Sequence, residues 1–165
     1  MIGSAGSGKS TAARMLGKTL GLPVFHMDRE VFWLPGWVER DKADQLRQIE
    51  RIVALEDWVF EGNNSSTFAI REARAQMLVW LDIPLWLRLV RVVRRSWQQR
   101  GQSRPDMSDG CVERLRALPG FLHFIVSTSR SSRRKQRAFF ERTLLAKHRF
   151  ADTARFNAYI AGLAR

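Results

Sequence analysis

The feature that most constrains this chain is Gly3-Ser4-Ala5-Gly6-Ser7-Gly8-Lys9-Ser10, a complete Gly-x-x-x-x-Gly-Lys-Ser phosphate-binding loop followed at once by Thr11. Each residue type in it has a mechanical task. The glycines let the backbone curl so that its N–H groups converge on phosphate oxygens, Lys9 reaches the β- and γ-phosphates, and Ser10 offers a hydroxyl to Mg²⁺. Such a loop works between a strand and a helix, and the flanks supply both. Met1-Ile2 is a scrap of strand, while Ala12, Ala13, Leu16 and Leu20 recur at helical spacing with Gly21 as the stop. The N-terminus of that helix adds partial positive charge where phosphates would sit. Gly3 to Thr11 is therefore read as a nucleotide-binding element in an α/β fold.

Composition narrows the setting. A chain of 165 residues suits one domain, 1–165, with a real core, and 45% hydrophobic against 27% charged residues marks it as globular. The loop begins at the third residue, which leaves no room for a signal peptide, and no apolar run approaches a membrane span. The single cysteine, Cys111, cannot form an internal disulfide, so a reducing cytoplasm is expected. Net charge is +12, and its distribution matters more than its size. Residues 88–149 hold 16 Lys and Arg against 4 Asp and Glu, while the remainder is nearly balanced. Any anionic ligand or partner should meet that segment.

Along the chain, Leu22 to Asp28 reads as a short strand ending in an acid. Ligands gather at the carboxyl ends of strands in open α/β sheets, so Asp28 falls near the phosphate loop. There it suits a general base for an attacking hydroxyl, or a carboxylate that binds Mg²⁺ through water. Phe32 to Trp37 is an aromatic loop broken by Pro35-Gly36, able to wall a substrate pocket or to plug the core. Asp41 can cap a helix with Leu46, Ile49 and Val53 on one face. Trp58 to Glu61 reads as a strand leading into the polar turn 62–66, with a short helix over 67–75. Met77 to Asp82 is the continuous apolar run of a buried parallel strand, again closing on an acid. Either Glu61 or Asp82 could orient the metal and its waters.

Pro84 opens a helix to Gln99 with Leu85, Leu89, Val92 and Val93 inward and Arg88, Arg91, Arg94 and Arg95 around the remaining face. Breaks at 101–106 and 108–110 suggest an Arg-bearing lid, inserted at about 96–111, that closes over a nucleotide and excludes water. A second helical region runs from Cys111 to about Ser127, interrupted near Pro119-Gly120. The polar run from Ser127 to Arg137 reads as a solvated helix face, with nucleic-acid contact the less favoured reading. Lys147 to Phe150 is the expected last strand and Arg155 to Ala164 the closing helix. The loop 151–154 between them should lie beside the phosphate site, suited to touching a base.

Gly3 to Thr11, His26-Met27-Asp28, Phe32 to Trp37, Trp58 to Ser66, Leu81-Asp82-Ile83-Pro84 and Arg100 to Asp106 together resemble the adenylate-kinase-like bacterial proteins labelled FlaR or "DNA topology modulation" proteins. The resemblance reaches to about Arg142. It implies a three-layer P-loop NTPase sandwich of nucleoside monophosphate kinase type, with a five-stranded parallel sheet and a helical, Arg-bearing lid. It also implies ATP and Mg²⁺, and it favours Glu61, in the place of the Asp-Gly acid of nucleotide kinases, as the residue near the metal with Ser10. Arg91 and Arg95 match the arginines that stack on adenine and contact phosphates, and Arg100 and Arg104 would be lid arginines. The implied catalytic set is Lys9, Asp28, Arg95 and Arg100. Asp28, Trp37, Glu61, Asn63, Arg71 and Arg104 would meet the acceptor.

Two departures qualify this reading. Nucleotide kinases carry an arginine four residues after the Asp-Gly acid, where this chain has Ser65, so either Arg71 holds the acceptor phosphate or the acceptor is not a nucleoside monophosphate. The first strand is short, which would follow from an internal start codon with apolar residues missing upstream. The leading function is phosphoryl transfer from ATP to a small acceptor, with no membrane partner. The alternative is a nucleotide-switched DNA-binding regulator that uses the basic segment 88–149. A GTPase is a third option, but it lacks an Asn-Lys-x-Asp element.

Overall fold

Strands and helices alternate as the hydrophobic pattern requires. The computed structural model describes residues 1–103 and 105–163. The strands are β1 (Ile2–Gly3), β2 (Val24–His26), β3 (Trp33–Leu34), β4 (Val38–Glu39), β5 (Val59–Glu61), β6 (Met77–Leu81) and β7 (Ala146–Phe150). The helices are α1 (Lys9–Leu20), α2 (Lys42–Val53), α3 (Phe68–Glu72), α4 (Leu85–Gln98), α5 (Leu118–Arg142) and α6 (Thr153–Leu163).

All pairings among β1, β2, β5, β6 and β7 are parallel, but they fall into sheets of three strands, β1-β6-β7, and two, β2-β5, instead of one sheet of five. The reason is the brevity of β1, which has two residues for its ladder and pairs Ile2 with Trp80 and Gly3 with Leu81. Met1 bridges the gap to β5: its ammonium donates to the Phe60 carbonyl at 2.7 Å and its carbonyl accepts from Gly62 N–H at 3.2 Å. β3 and β4 form a separate antiparallel hairpin.

Side-chain alternation along β6 builds the layers. Val79 and Leu81 join Ala12, Ala13 and Leu16 of α1 and Phe156 and Ile160 of α6. Leu78 and Trp80 pack instead with Ile2, Phe68 of α3 and Phe139 of α5. A third cluster joins Met27, Val31 and Phe60 to Ile49, Ile52 and Val53 of α2.

Several helical faces differ from expectation. Asp41 caps α2, accepting from Asp44 N–H at 2.9 Å, but Gln45 is buried in place of Leu46 because its amide donates to the Arg40 carbonyl at 2.7 Å. On α4 the buried residues are Arg88, Val92 and Ser96, and Val93 is exposed. Pro119 does not interrupt a helix; it lies in the first turn of α5, where its missing N–H has no intrahelical partner to lose. The run 127–137 therefore belongs to the middle of a 25-residue helix. The expected lid helix is absent among the described residues. Residues 99–103 and 105–114 are irregular, with one bridge, Ser103 to Val112, because Gly101 and Gly110 take φ of 75° and 73°, outside helical space. Arg104 and Ala164 lie outside the described residues.

Gly6 shows how closely the phosphate loop is fitted to its support. Its φ is 78°, and an added Cβ would lie 2.6 Å from the Arg88 carbonyl oxygen. Gly21 has a similar φ of 69° but nothing within 4 Å. Gly6→Ala should therefore cost about 2–3 kcal/mol in urea unfolding, and Gly21→Ala about 1 kcal/mol. Equal losses at the two positions would contradict the fit.

Candidate active site

The loop between β1 and α1 has the shape of an anion cradle. Gly6 and Gly8 have φ of 78° and 85°, and Ser7 N–H donates to the Ser4 carbonyl at 3.1 Å. Gly8 occupies the position before α1 and no side chain caps that helix, so the first turn presents amides to a ligand. Residues from Ala5 to Thr11 line a cavity of about 470 Å³, whose other walls include Asp28, Arg91, Arg95, Asp106 and Thr153. The Arg91 guanidinium is pinned at both ends, donating to the Ser7 carbonyl at 3.0 Å and to Thr153 Oγ1 at 2.6 Å. Arg95 lies 3.7 Å from Glu113.

Behind the cradle, Glu61 gathers three polar partners at the end of β5. Its Oε1 accepts from Ser10 Oγ at 2.9 Å and meets His26 Nδ1 at 2.7 Å, and its Oε2 lies 3.7 Å from Lys9 Nζ. Glu61 is 2% exposed. Burial pushes its pKa up, but Lys9, the His26 hydrogen bond and Ser10 outweigh that and hold it down to about 2. Oε2 accepts no hydrogen bond among the described residues. The β2–β5 register sets His26 opposite Glu61, a partner the sequence pattern alone did not reveal.

The other acid, Asp82, is committed elsewhere. Arg133 donates to it from Nε at 2.7 Å and Nη2 at 2.9 Å, and Arg149 from Nε at 3.0 Å and Nη2 at 2.6 Å. Burial opposes its ionisation, but these two forks hold its pKa below the usual range. Of the two acids, Glu61 is the one bonded to Ser10.

Besides Glu61, four described residues expected at the acceptor or in the lid do not line the 470 Å³ cavity. Arg71 is buried, donates to the Gly62 and Asn64 carbonyls at 3.1 and 3.2 Å, and lies over the Phe60 and Phe68 rings. Burial lowers its pKa to about 10, against the attraction of Glu61. It braces the turn after β5. Asn63 donates to Ser132 Oγ at 2.9 Å, and Arg100 is exposed with its guanidinium 5.5 Å from the Trp97 ring centre. Trp37, at φ 67°, is held by the lid loop: its N–H points to Cys111 Sγ at 3.3 Å and its Nε1 donates to the Val112 carbonyl at 3.2 Å.

Trp37 is one of several ties between the 28–39 segment and the 99–114 loop. Arg29 donates to the Pro105 carbonyl at 3.1 Å, Ser108 Oγ donates to the Arg29 and Trp33 carbonyls, and Gly36 N–H donates to the Asp109 carbonyl at 3.3 Å. Met107 and Cys111 are buried under this contact. The two flaps are thus one unit.

α5 contributes contacts that its basic, polar sequence concealed. Gln136 is buried, accepting from Trp80 Nε1 at 2.8 Å and donating to Ser4 Oγ at 3.1 Å and Ser132 Oγ at 2.9 Å. Arg88 of α4 donates to the Ala5 carbonyl at 3.3 Å and to Ser129 Oγ at 2.7 Å. Several cations of the basic segment, Arg88, Arg91, Arg133 and Arg149 among them, are therefore engaged within the molecule.

With this geometry in view, the chain is similar to solved shikimate kinases. It is 14% identical to shikimate kinase from Acinetobacter baumannii in complex with shikimate, with a TM-score of 0.57 over 98% of this chain and 87% of that one. For shikimate kinase from Aquifex aeolicus the values are 15% and 0.52 over 98% and 94%. The likeness shows a shared P-loop α/β fold. No protein-family model and no curated protein matches the chain. No helix of the described residues is long and apolar enough to cross a membrane.

Two outcomes follow from the geometry. Because the folded Glu61 pKa lies below its ordinary value of 4.5, its contribution is present above pH 4.5 and lost as pH falls toward 2. Chemical denaturation should show that loss, on the order of 3 kcal/mol, in the native chain and not in Glu61→Gln. Trp37→Ala should speed hydrogen exchange of amides in 101–112 by about tenfold while leaving α1 unchanged. Equal protection of that loop in both proteins would contradict the coupling of the flaps.

Proposed function

We propose that this chain is an ATP-dependent P-loop phosphotransferase, adenylate-kinase-like and of the FlaR-like group that its motifs resemble, acting on a small acceptor. The observation that carries the reading is the convergence of Lys9, Ser10 and Glu61 at an uncapped helix N-terminus beside a cavity of about 470 Å³.

The residues present fit a nucleoside triphosphate and Mg²⁺. Glu61 Oε2 is a buried carboxylate oxygen without a hydrogen bond, and Ser10 supplies a hydroxyl on the other oxygen. Magnesium sites in such enzymes use one or two protein oxygens together with phosphates, and Ser10 and Glu61 would provide them. The ion would neutralise phosphate charge. The loop amides from Gly6 to Thr11 bind and orient the phosphate chain, and Lys9 places a cation where negative charge develops. Arg91, fixed between Ser7 and Thr153, and Arg95 add positive charge on the opposite wall. Asp28, at the exit of β2 and lining the same cavity, takes the proton from the attacking hydroxyl. The joined flaps 28–39 and 99–114 exclude water. A sheet made continuous through Met1, a cytoplasmic setting, and contact of Arg100 and Arg104 with phosphates on closure belong to this same reading.

The test is phosphate transfer from labelled ATP to a panel of small hydroxylated and phosphorylated acceptors. Native protein should transfer label, and Lys9→Ala and Asp28→Asn should each lower kcat/KM by about 100-fold or more, roughly 3 kcal/mol. Transfer that survives Lys9→Ala undiminished would overturn the proposal.

A further inference from the structure

α4 carries a tryptophan at each end of its outer face. Trp86 is 66% exposed and Trp97 64%, the latter even with the Arg100 guanidinium 5.5 Å from its ring centre. Between them Val90 and Val93 are 55% and 43% exposed. Single apolar residues scattered on a surface are ordinary, but these four share one face of one helix. Their spacing of four, three and four is that of a seam between two packed helices. The apolar surface continues onto α5, where Val126 stands one turn before Ser129, the residue that bonds Arg88 of α4, and is 51% exposed.

The order of residues identifies the occupant. From either end the stripe runs Trp, three residues, Val, two residues, Val, three residues, Trp. Any stripe matches itself in a parallel pair of helices, but only an antiparallel pair needs a palindrome. Laid across a second copy in that way, Trp86 meets the partner's Trp97 and Val90 meets the partner's Val93, the self-complementarity that a two-fold interface requires. None of the four residues is charged, and interface cores are rich in tryptophan and poor in charge. The exposed area is also of the right size. Two indoles about two-thirds exposed and three valines about half exposed offer on the order of 500 Å² per copy. A standard interface buries about 800 Å² a side, of which about 65% is apolar in homodimers, again roughly 500 Å².

We propose that α4 is a dimer interface, along which two copies of this chain pack antiparallel about a two-fold axis between Val90 and Val93. The proposal does not depend on the phosphotransferase reading. Arg91, Val92 and Arg95 line the 470 Å³ cavity, so the interface and the cavity use different faces of the same helix.

The experiment is sedimentation velocity of the full-length chain between about 1 and about 100 μM. It compares native protein, Val90→Glu, Val93→Lys and an equimolar mixture of the two variants. Both positions are exposed, so the variants should fold, which circular dichroism checks. Native protein should form dimers and nothing larger, with a Kd of about 10 μM. Association should tighten several-fold between about 0.05 and about 0.5 M NaCl, because salt screens the net charge of +12 on each copy. Each variant alone should weaken association about tenfold or more, and mixing them should restore it, since the introduced carboxylate and ammonium then face each other. Native protein that stays monomeric, growth beyond two copies, association indifferent to the substitutions, or no rescue on mixing would overturn the proposal. Monomeric protein that binds phosphatidylserine vesicles, and loses them with Val90→Glu and with added salt, would also overturn it and assign the stripe to a membrane surface.

Discussion

An ionised carboxylate taken out of water must be repaid by its neighbours, and at Glu61 the neighbours are the parts of the phosphate site. Isolated burial would make such a group take up a proton; a cation and two hydrogen bonds reverse that. Lys9 and Ser10 come from the first turn of α1 at the end of the phosphate loop and His26 from the end of β2, so this one side chain of β5 ties both to its own strand. The β2–β5 register is what allows it, since His26 stands opposite Glu61. A shift of that register by one residue would turn both side chains to the other face of the sheet.

A second framework supports the loop from behind. Gly6 closes against the Arg88 backbone, and the Arg88 side chain returns to the Ala5 carbonyl, so α4 grips the loop twice. α5 joins through Gln136, whose amide links Trp80 of β6 to Ser4. The forks of Arg133 and Arg149 on Asp82 fix the end of β6 where α4 begins. Much of what reads as surplus positive charge along the chain is thus internal bracing.

The local parts of this design were legible in the sequence. Gly3 to Thr11 is contiguous because a phosphate cradle is made by successive backbone amides, and the run 77–82 shows its burial by continuous apolarity. Parallel strands alternating with helices followed from the same pattern. Features that depend on which strand or helix meets which were not legible. Arg71 has the residue type for a phosphate ligand, but the aromatic rings of Phe60 and Phe68 and the carbonyls after β5 hold it in the interior. The Ser-rich stretch of α5 looks solvated until its register against Ser4 and Arg88 is known, and Gln45 looks like a surface residue until the Arg40 carbonyl claims it. Arg88 is buried beside Leu89 for the same reason, through its bonds to the Ala5 carbonyl and Ser129. The lid was foreseen as a break in helix but not as a loop latched to Trp37, because that latch joins residues 74 and 75 positions apart.

If Glu61 is the charged hub of the site, it must resist protonation far below the range of an ordinary carboxyl. The ¹³C chemical shift of its side-chain carboxyl, followed against pH in the folded chain, reads this directly. A midpoint near 2, with ionisation preserved at pH 4, is the predicted result. A midpoint near 4.5 would contradict the account, because it would mean that Lys9, His26 and Ser10 do not hold the carboxylate.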